Sequence, residues 1–310
     1  MSRNYSPDDL TQQRDSSPSS QNRHPRQAGR DAPEESSPHR TSENRTPTRL
    51  VAHTPRFQAR SIEPRKLFEL RSRVYRLRDS EIQTMVDIGK FRALGASDLE
   101  ELAYTANRSH LQADLANLRQ QGLIMMRRVP QKHTVPRHLV ALTKEGRRFL
   151  VAHERVPRNQ VLYYGFSKLR EADHDADLYR LYHRGLDDIA LKGGKERRVI
   201  LDSELKRIVY RDLTRAKRES NSPDFAAIAE RHGLKLIRGT IPIPDLRVEY
   251  ETSDHEQARV DLELATEHYR FKNLAKKASA GFSLFARPDE LSKLRRVMDE
   301  RGLVVEILSL

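Results

Sequence analysis

The chain has 310 residues, a net charge of +13, and neither cysteine nor tryptophan. The length suits about two domains, and the charge points to an anionic partner, nucleic acid before a membrane surface. The missing thiols exclude disulfides, thiolate metal sites and cysteine nucleophiles, no run of about 18 apolar residues offers a membrane span, and no apolar leader opens the chain.

Residues 1–62 are rich in Ser, Pro, Arg, Asn and Gln and nearly free of apolar side chains. Such a segment cannot offset its ordering entropy by burial, so a disordered tail is expected. From Leu67 the apolar spacing turns helical and predicts helices over 65–77 and 80–91, the second with Ile82, Met85, Val86 and Phe91 inward. Ser97 and Glu100 have the spacing of a capping box and open a short helix through Tyr104. After a turn at 105–107, with Asn107 or Ser109 as cap, a helix runs to about 121. Leu111, Leu115 and Leu118 share one of its faces, and Gly122 stops it. A strand over 123–129, a loop over 130–137, a strand over 138–142 and a helix over 144–154 capped by Thr143 complete the region. This order is that of a winged helix-turn-helix.

The phrases Leu115-Ala116-Asn117-Leu118-Arg119-Gln120-Gln121-Gly122-Leu123-Ile124 and Leu142-Thr143-Lys144-Glu145-Gly146-Arg147-Arg148-Phe149-Leu150 resemble the winged-helix domains of MarR-like regulators. In a helix-turn-helix the start of the second helix reaches base edges in the major groove. The candidates here are Asn107, Arg108, Ser109, His110 and Gln112: arginine suits guanine, asparagine and glutamine suit adenine. Arg127, Arg128, Lys132 and Arg137 form a basic, proline-stiffened wing for phosphate or minor groove, and Arg147 adds a phosphate contact. Residues 65–156 hold 18 Lys and Arg against 10 Asp and Glu, so most of the chain's excess charge lies here. Sparse aromatics disfavour a base-stacking platform.

Further along, 174–186 reads as extended or mixed and 199–201 as a short strand. Helices follow over 203–218 and 224–232, then strands over 235–238, 245–251 and 258–264. A helix over 268–280, a strand over 283–286, a helix over 288–300 and a strand over 303–308 close the chain. Alternating strands and helices imply a mixed α/β domain over 157–310. On the second long strand Asp261 and Glu263 share a face while Val260, Leu262 and Leu264 share the other. If Asp245 starts a neighbouring strand, Asp245, Asp261 and Glu263 become candidate Mg²⁺ ligands, and such an ion supports phosphodiester cleavage. The segment Asp202-Ser203-Glu204-Leu205-Lys206 reads as a helix start, and the cations that follow it as either a second nucleic-acid face or a solvated one. The histidines show no metal-ligand spacing, and there is no phosphate-binding glycine loop.

Pro244-Asp245, the hairpin and the carboxylate strand resemble the core of the PD-(D/E)xK nuclease superfamily. With the winged helix, His174-Asp175 and Asp261-Leu262-Glu263-Leu264-Ala265-Thr266, the chain resembles the replication-relaxation family of plasmid and mobile-element proteins. The resemblance implies a tail (1–62), a winged helix-turn-helix (63–156) and a restriction-endonuclease-like α/β (α+β) domain with a mixed sheet (157–310). It also implies a lysine two positions after the last acid, where this chain has Ala265 or Glu263. Lys272 or Lys276 of the next helix is then the candidate substitute, with Lys277 beside them. The expectation is a cytoplasmic, nucleoid-associated protein acting on double-stranded DNA in replication, relaxation or transfer, alongside other proteins of those processes, with its nuclease-like domain inactive and no certain cofactor. The alternatives are a Mg²⁺-dependent endonuclease and a winged-helix transcriptional regulator. A homodimer is an expected assembly, because such proteins often read paired half-sites, and 65–77 is the candidate interface.

Overall fold

The computed structural model describes residues 63–130, 137–166, 172–219, 224–266, 271–300 and 306–310. The predicted tail, the wing tip with Lys132, and the predicted starts of the helix at 268 and the strand at 303 fall outside them. None of the helices among the described residues is long and apolar enough to cross a membrane.

The first element corrects the sequence reading. Residues 65–77 form not a helix but an antiparallel hairpin, β1 (Lys66–Leu70) and β2 (Arg73–Leu77). Phe68, Leu70, Tyr75 and Leu77 turn to the core while Leu67 and Val74 stay exposed. The turn at Arg71 takes a left-handed φ of 58°. As a strand pair the segment buries alternate residues, which a single helical stripe would not.

Helix α1 (Asp79–Lys90), strand β3 (Leu94–Gly95), helix α2 (Ala96–Leu102) and helix α3 (Arg108–Gln120) follow. Strands β4 (Ile124–Val129) and β5 (Arg137–Leu142) then pair, and helix α4 (Lys144–Ala152) closes the region. The three strands make an antiparallel sheet in the order β3-β5-β4. Two caps fall where the sequence puts them: Asn107 accepts the His110 amide at 3.1 Å and Thr143 accepts the Gly146 amide at 3.0 Å. Gly122 ends α3 at φ 73°, a backbone that suits glycine. The Ser97 capping box does not form: Gly95 is the N-cap of α2, and Asp98 is committed to arginines.

A second correction concerns 174–186, which lies inside a 20-residue helix, α5 (Ala172–Leu191). Gly185 lets it approach the next sheet closely, since a Cβ there would stand 2.6 Å from Leu262 Cδ1. That sheet has five strands in the order β10-β9-β8-β7-β6. They are β6 (Lys195–Leu201), β7 (Leu246–Glu251), β8 (Gln257–Ala265), β9 (Ser283–Ala286) and β10 (Ile307–Ser309). Strands β6, β7 and β8 run antiparallel, while β9 and β10 are parallel additions. The segment 235–238 is not a strand but one side of a tight turn, with a lone bridge between Ile237 and Thr240. The remaining helices are α6 (Asp202–Glu219), α7 (Phe225–Arg231), α8 (Phe271–Ser279) and α9 (Pro288–Asp299).

Strand alternation sorts the five-stranded sheet into two faces. Val199, Leu201, Leu262, Leu264 and Phe285 pack with Tyr179 and Tyr182 of α5 in a core that continues into α1 and the three-stranded sheet. Phe91 at the end of α1 stands 5.4 Å from the Tyr179 ring and 5.1 Å from that of Tyr182. Ile200, Ala265 and Leu284 face the other way, toward Val209, Leu274, Leu294 and Met298 from α6, α8 and α9. At the edge of β6, the Gln160 side chain exchanges two 2.9 Å hydrogen bonds with the Val199 backbone and satisfies the strand there. The apolar core is therefore continuous across the 156/157 boundary.

Candidate nucleic-acid interface and carboxylate corner

Helix α3 is amphipathic. Leu111, Leu115 and Leu118 are buried, while Arg108, Ser109, Gln112, Ala113, Ala116, Arg119 and Gln120 are exposed on the far side. Alanines at the centre of that face keep it low enough for close approach by another surface. Its inner side carries a polar lock. Asp114, wholly buried, accepts Ser80 Oγ at 2.6 Å and Tyr104 OH at 2.9 Å, with Arg78 at 3.5 Å and His110 at 3.3 Å. This network ties α3 to α1 and to the turn before it, which fixes which residues of α3 face out.

The lock corrects one predicted base contact. His110 is 7% exposed and turned to Asp114 and Ser80, so it orients the helix from within. Asn107 is engaged as the cap. Arg108 and Gln112 do face outward, onto a groove of about 880 Å³ whose other walls include Arg137, Arg180, Arg287 and Pro288.

The residues expected on a wing divide. Arg127 and Arg128 are both exposed, but as neighbours on β4 they point to opposite faces of the ribbon. Arg147 is exposed, with its guanidinium 5.5 Å from the Tyr164 ring. Arg137 is a correction: it is not a free wing cation, because it pairs with the buried Asp98 and lies 3.4 Å from Asp177 of α5. Arg180 holds the other oxygen of Asp98 at 2.6 Å, and Arg287, before α9, pairs with Asp177. Burial opposes charge on Arg180 and Arg287, but their carboxylate partners prevail and raise both pKa values. This clasp joins α2, β5, α5 and the start of α9. No sequence signal marks it, since Asp177 and Arg287 are 110 residues apart.

The carboxylates gather only in part. Asp245 ends the loop before β7, and its backbone N–H donates to Glu263 Oε2 at 3.0 Å. The Leu264 amide donates to Asp245 Oδ2 at 3.1 Å. The Lys277 ammonium of α8 lies 2.7 Å from Glu263 Oε1 and also donates to the Ile243 carbonyl. Thus the lysine that reaches the corner is Lys277, whereas Lys272 is exposed at the start of the same helix. Lys277 lies in the last turn of α8, 5.7 Å from the Phe282 ring, whereas Lys272 sits about a turn and a half earlier and is exposed. Asp261 is drawn elsewhere. Arg247, its cross-strand partner, grips it at 2.6 and 2.8 Å and binds the carbonyls of His232 and Gly233.

His174 at the start of α5 lies 3.8 Å from Asp245 Oδ1. Burial works against its protonation, but the nearby Asp245 carboxylate, backed by the charges of Asp175 and Asp177, outweighs that and raises its pKa. Behind it, Arg92 joins Asp175 at 2.8 Å and Asp202 at 3.3 Å.

A Mg²⁺ site needs several oxygens free to face one point. Here both Glu263 oxygens and one of Asp245 are engaged by the protein, and Asp261 is held by an arginine. Among the described residues no group of three or more His, Asp, Glu or Cys side chains is placed to hold a metal. The residues as arranged do not fit a metal.

The Glu204-x-Lys206 triplet also dissolves into local pairs. Lys206 holds Asp202 one turn back at 2.8 Å, and Glu204 is buried against Arg198. Burial raises the Glu204 pKa despite that arginine.

The chain matches no protein-family model, no curated protein and no solved structure.

Proposed function

We propose that the chain is a DNA-binding protein of a plasmid or mobile element, acting in replication, relaxation or transfer, with a nuclease-like domain that does not cleave. The observation that carries this reading is α3. It presents an outward face of Arg108, Ser109, Gln112, Ala113 and Ala116 with no carboxylate among them, while the buried Asp114 lock sets its orientation. The element order around it and the adjoining antiparallel strands support a winged helix-turn-helix, whose second helix enters the major groove. Arg127, Arg128 and Arg147 supply exposed cations beside it. The mixed five-stranded sheet supports the nuclease-like assignment of the second half, and the occupied oxygens of Asp245 and Glu263 support its inactivity.

The test is duplex binding measured against salt. The expected slope of log affinity on log salt is several units if on the order of five phosphates are neutralised. A flat response overturns the reading.

A metal-dependent endonuclease is the second reading, favoured by the Lys277 ammonium beside Glu263 and Asp245. It requires that supercoiled DNA be nicked with Mg²⁺ or Mn²⁺ and that Asp245→Asn abolish the nicking.

A further inference from the structure

Helix α6 carries a charged face that the α3 reading does not use. Arg207, Arg211, Arg215 and Arg218 succeed one another at helical spacing on its exposed side, with Tyr210 and Thr214 between them. At 1.5 Å per residue the row is about 16 Å long. These six residues and Glu219, at the end of the helix, line a hollow of about 610 Å³.

The acids offset this row only in part, four arginines standing against the buried Asp212 and the exposed Glu219 at its end. Glu204 is buried under Arg198, and Asp212 is buried against His232 at 2.9 Å. Asp212 also stands 3.5 Å from Arg211 and 3.7 Å from Arg215, which steadies the bases of two guanidiniums whose side chains remain 73% and 59% exposed. Arg207 and Arg218 are exposed as well. Within the row Tyr210 is 53% exposed, an aromatic ring rimmed by cations.

We infer that the outer face of α6 is a second nucleic-acid site, one that takes a single strand. Four arginines along one line complement a phosphate backbone. The ring of Tyr210 offers a stacking surface that an unpaired base can use and a duplex, with its bases already stacked, cannot. One exposed tyrosine in a chain poor in aromatics is thus placed where stacking and charge coincide. The site is separate from α3, which engages duplex, and it stands or falls independently of that assignment. The row starts next to the carboxylate corner: the Asp202 amide donates to the Asp245 carbonyl at 3.0 Å. A strand held along α6 therefore leads to or from Asp245 and His174.

The experiment uses the full chain, fluorescent oligo(dT) and oligo(U) of about 12 nucleotides, within the usual site sizes, and a duplex of equal length. Arg207→Gln/Arg218→Gln and Tyr210→Ala change exposed side chains, and thermal melts confirm that each variant is folded. The expected result is a loss of about fivefold or more in single-strand affinity for each variant, with duplex affinity unchanged within about twofold. In the arginine variant the single-strand salt slope should fall by about 1.4, at roughly 0.7 per phosphate. Tyr210→Phe should bind as the parent does, because stacking needs the ring and not the hydroxyl. The dT and U arms tell whether a DNA or an RNA strand binds more tightly, and a loss on either supports the site. Unchanged single-strand binding in both variants, or an equal loss on duplex, overturns it.

Discussion

Asp114 in α3 and Glu263 in β8 are both fully buried carboxylates, and they are held in opposite ways. Asp114 takes hydrogen bonds from two neutral hydroxyls, with His110 and Arg78 at longer range. Glu263 takes an ammonium and a backbone amide, one on each oxygen. The first arrangement turns polarity inward so that the outer face of α3 stays free. The second brings acid, base and amide together so that they satisfy one another. A buried charge left without its partner is costly, so the sheet corner holds charge for stability, whereas the helix holds it for orientation. The same functional group thus prepares a surface in one region and closes a site in the other.

Removing the lysine tests this contrast most severely. Lys277→Met leaves Glu263 buried with one partner fewer, and breaking such a pair costs about 3 kcal/mol. At roughly 2 to 4 °C per kcal/mol the melting temperature should fall by about 6 to 12 °C. Glu263→Gln/Lys277→Met should recover part of the loss. Unchanged or raised stability in Lys277→Met would reverse the assignment, because sites kept for chemistry are commonly strained.

Asp114→Ala removes the carboxylate that accepts from Ser80 and Tyr104, and a hydrogen bond to a charged group contributes about 1.5 to 3 kcal/mol. A loss of about 2 kcal/mol in chemical denaturation is expected, together with weaker duplex binding although Asp114 itself is buried. Loss of stability with unchanged duplex affinity would separate the lock from the outer face of α3. Arg108→Ala, by contrast, should leave stability alone and cost about tenfold in affinity for a cognate duplex, within the 1 to 3 kcal/mol of a good base contact. Arg127→Ala/Arg128→Ala should lower the salt slope by about 0.9 rather than twice that, since the two side chains face opposite ways and one duplex meets one of them.

The sequence exposes the elements that local chemistry decides. Asn107, Thr143 and Gly122 mark the bounds of α3 and α4 because caps act within a few residues. The alternation of Val260, Leu262 and Leu264 against Asp261 and Glu263 shows which face of β8 is apolar. The hairpin is hidden because Leu67, Leu70, Val74 and Leu77 are spaced like a helical stripe, and the turn at Arg71 shifts the phase between two short alternating runs. Leu67 and Val74 prove to be the exposed members, at 71% and 56%. Helix α5 is hidden by its aspartates and by Gly185, whose reason is contact with Leu262 and not local preference. Carboxylates on neighbouring strands are visible, but the identity of the cation that meets them is not. Lys272, Lys276 and Lys277 differ only in which side of α8 they occupy, and the sheet decides that.

His174 gives the smallest effect and the finest distinction between a closed corner and a responsive one. Its pKa is raised in the folded protein above the ordinary 6.5. A raised pKa means that folding favours the imidazolium, so the contact with Asp245 stabilises fully below the unfolded value and fades as pH rises through the folded one. His174→Gln should therefore lower the melting temperature more at about pH 5.5 than at about pH 8.5, because the contact fades as pH rises. The imidazole is 39% exposed, so solvent screening keeps the shift to a fraction of that in Lys277→Met. In Asp245→Asn the pH-dependent difference should shrink, because the leading favourable charge is gone while Asp175 and Asp177 remain. An equal loss at both pH values would mean that His174 contributes by packing alone, and the corner would then be closed on every side.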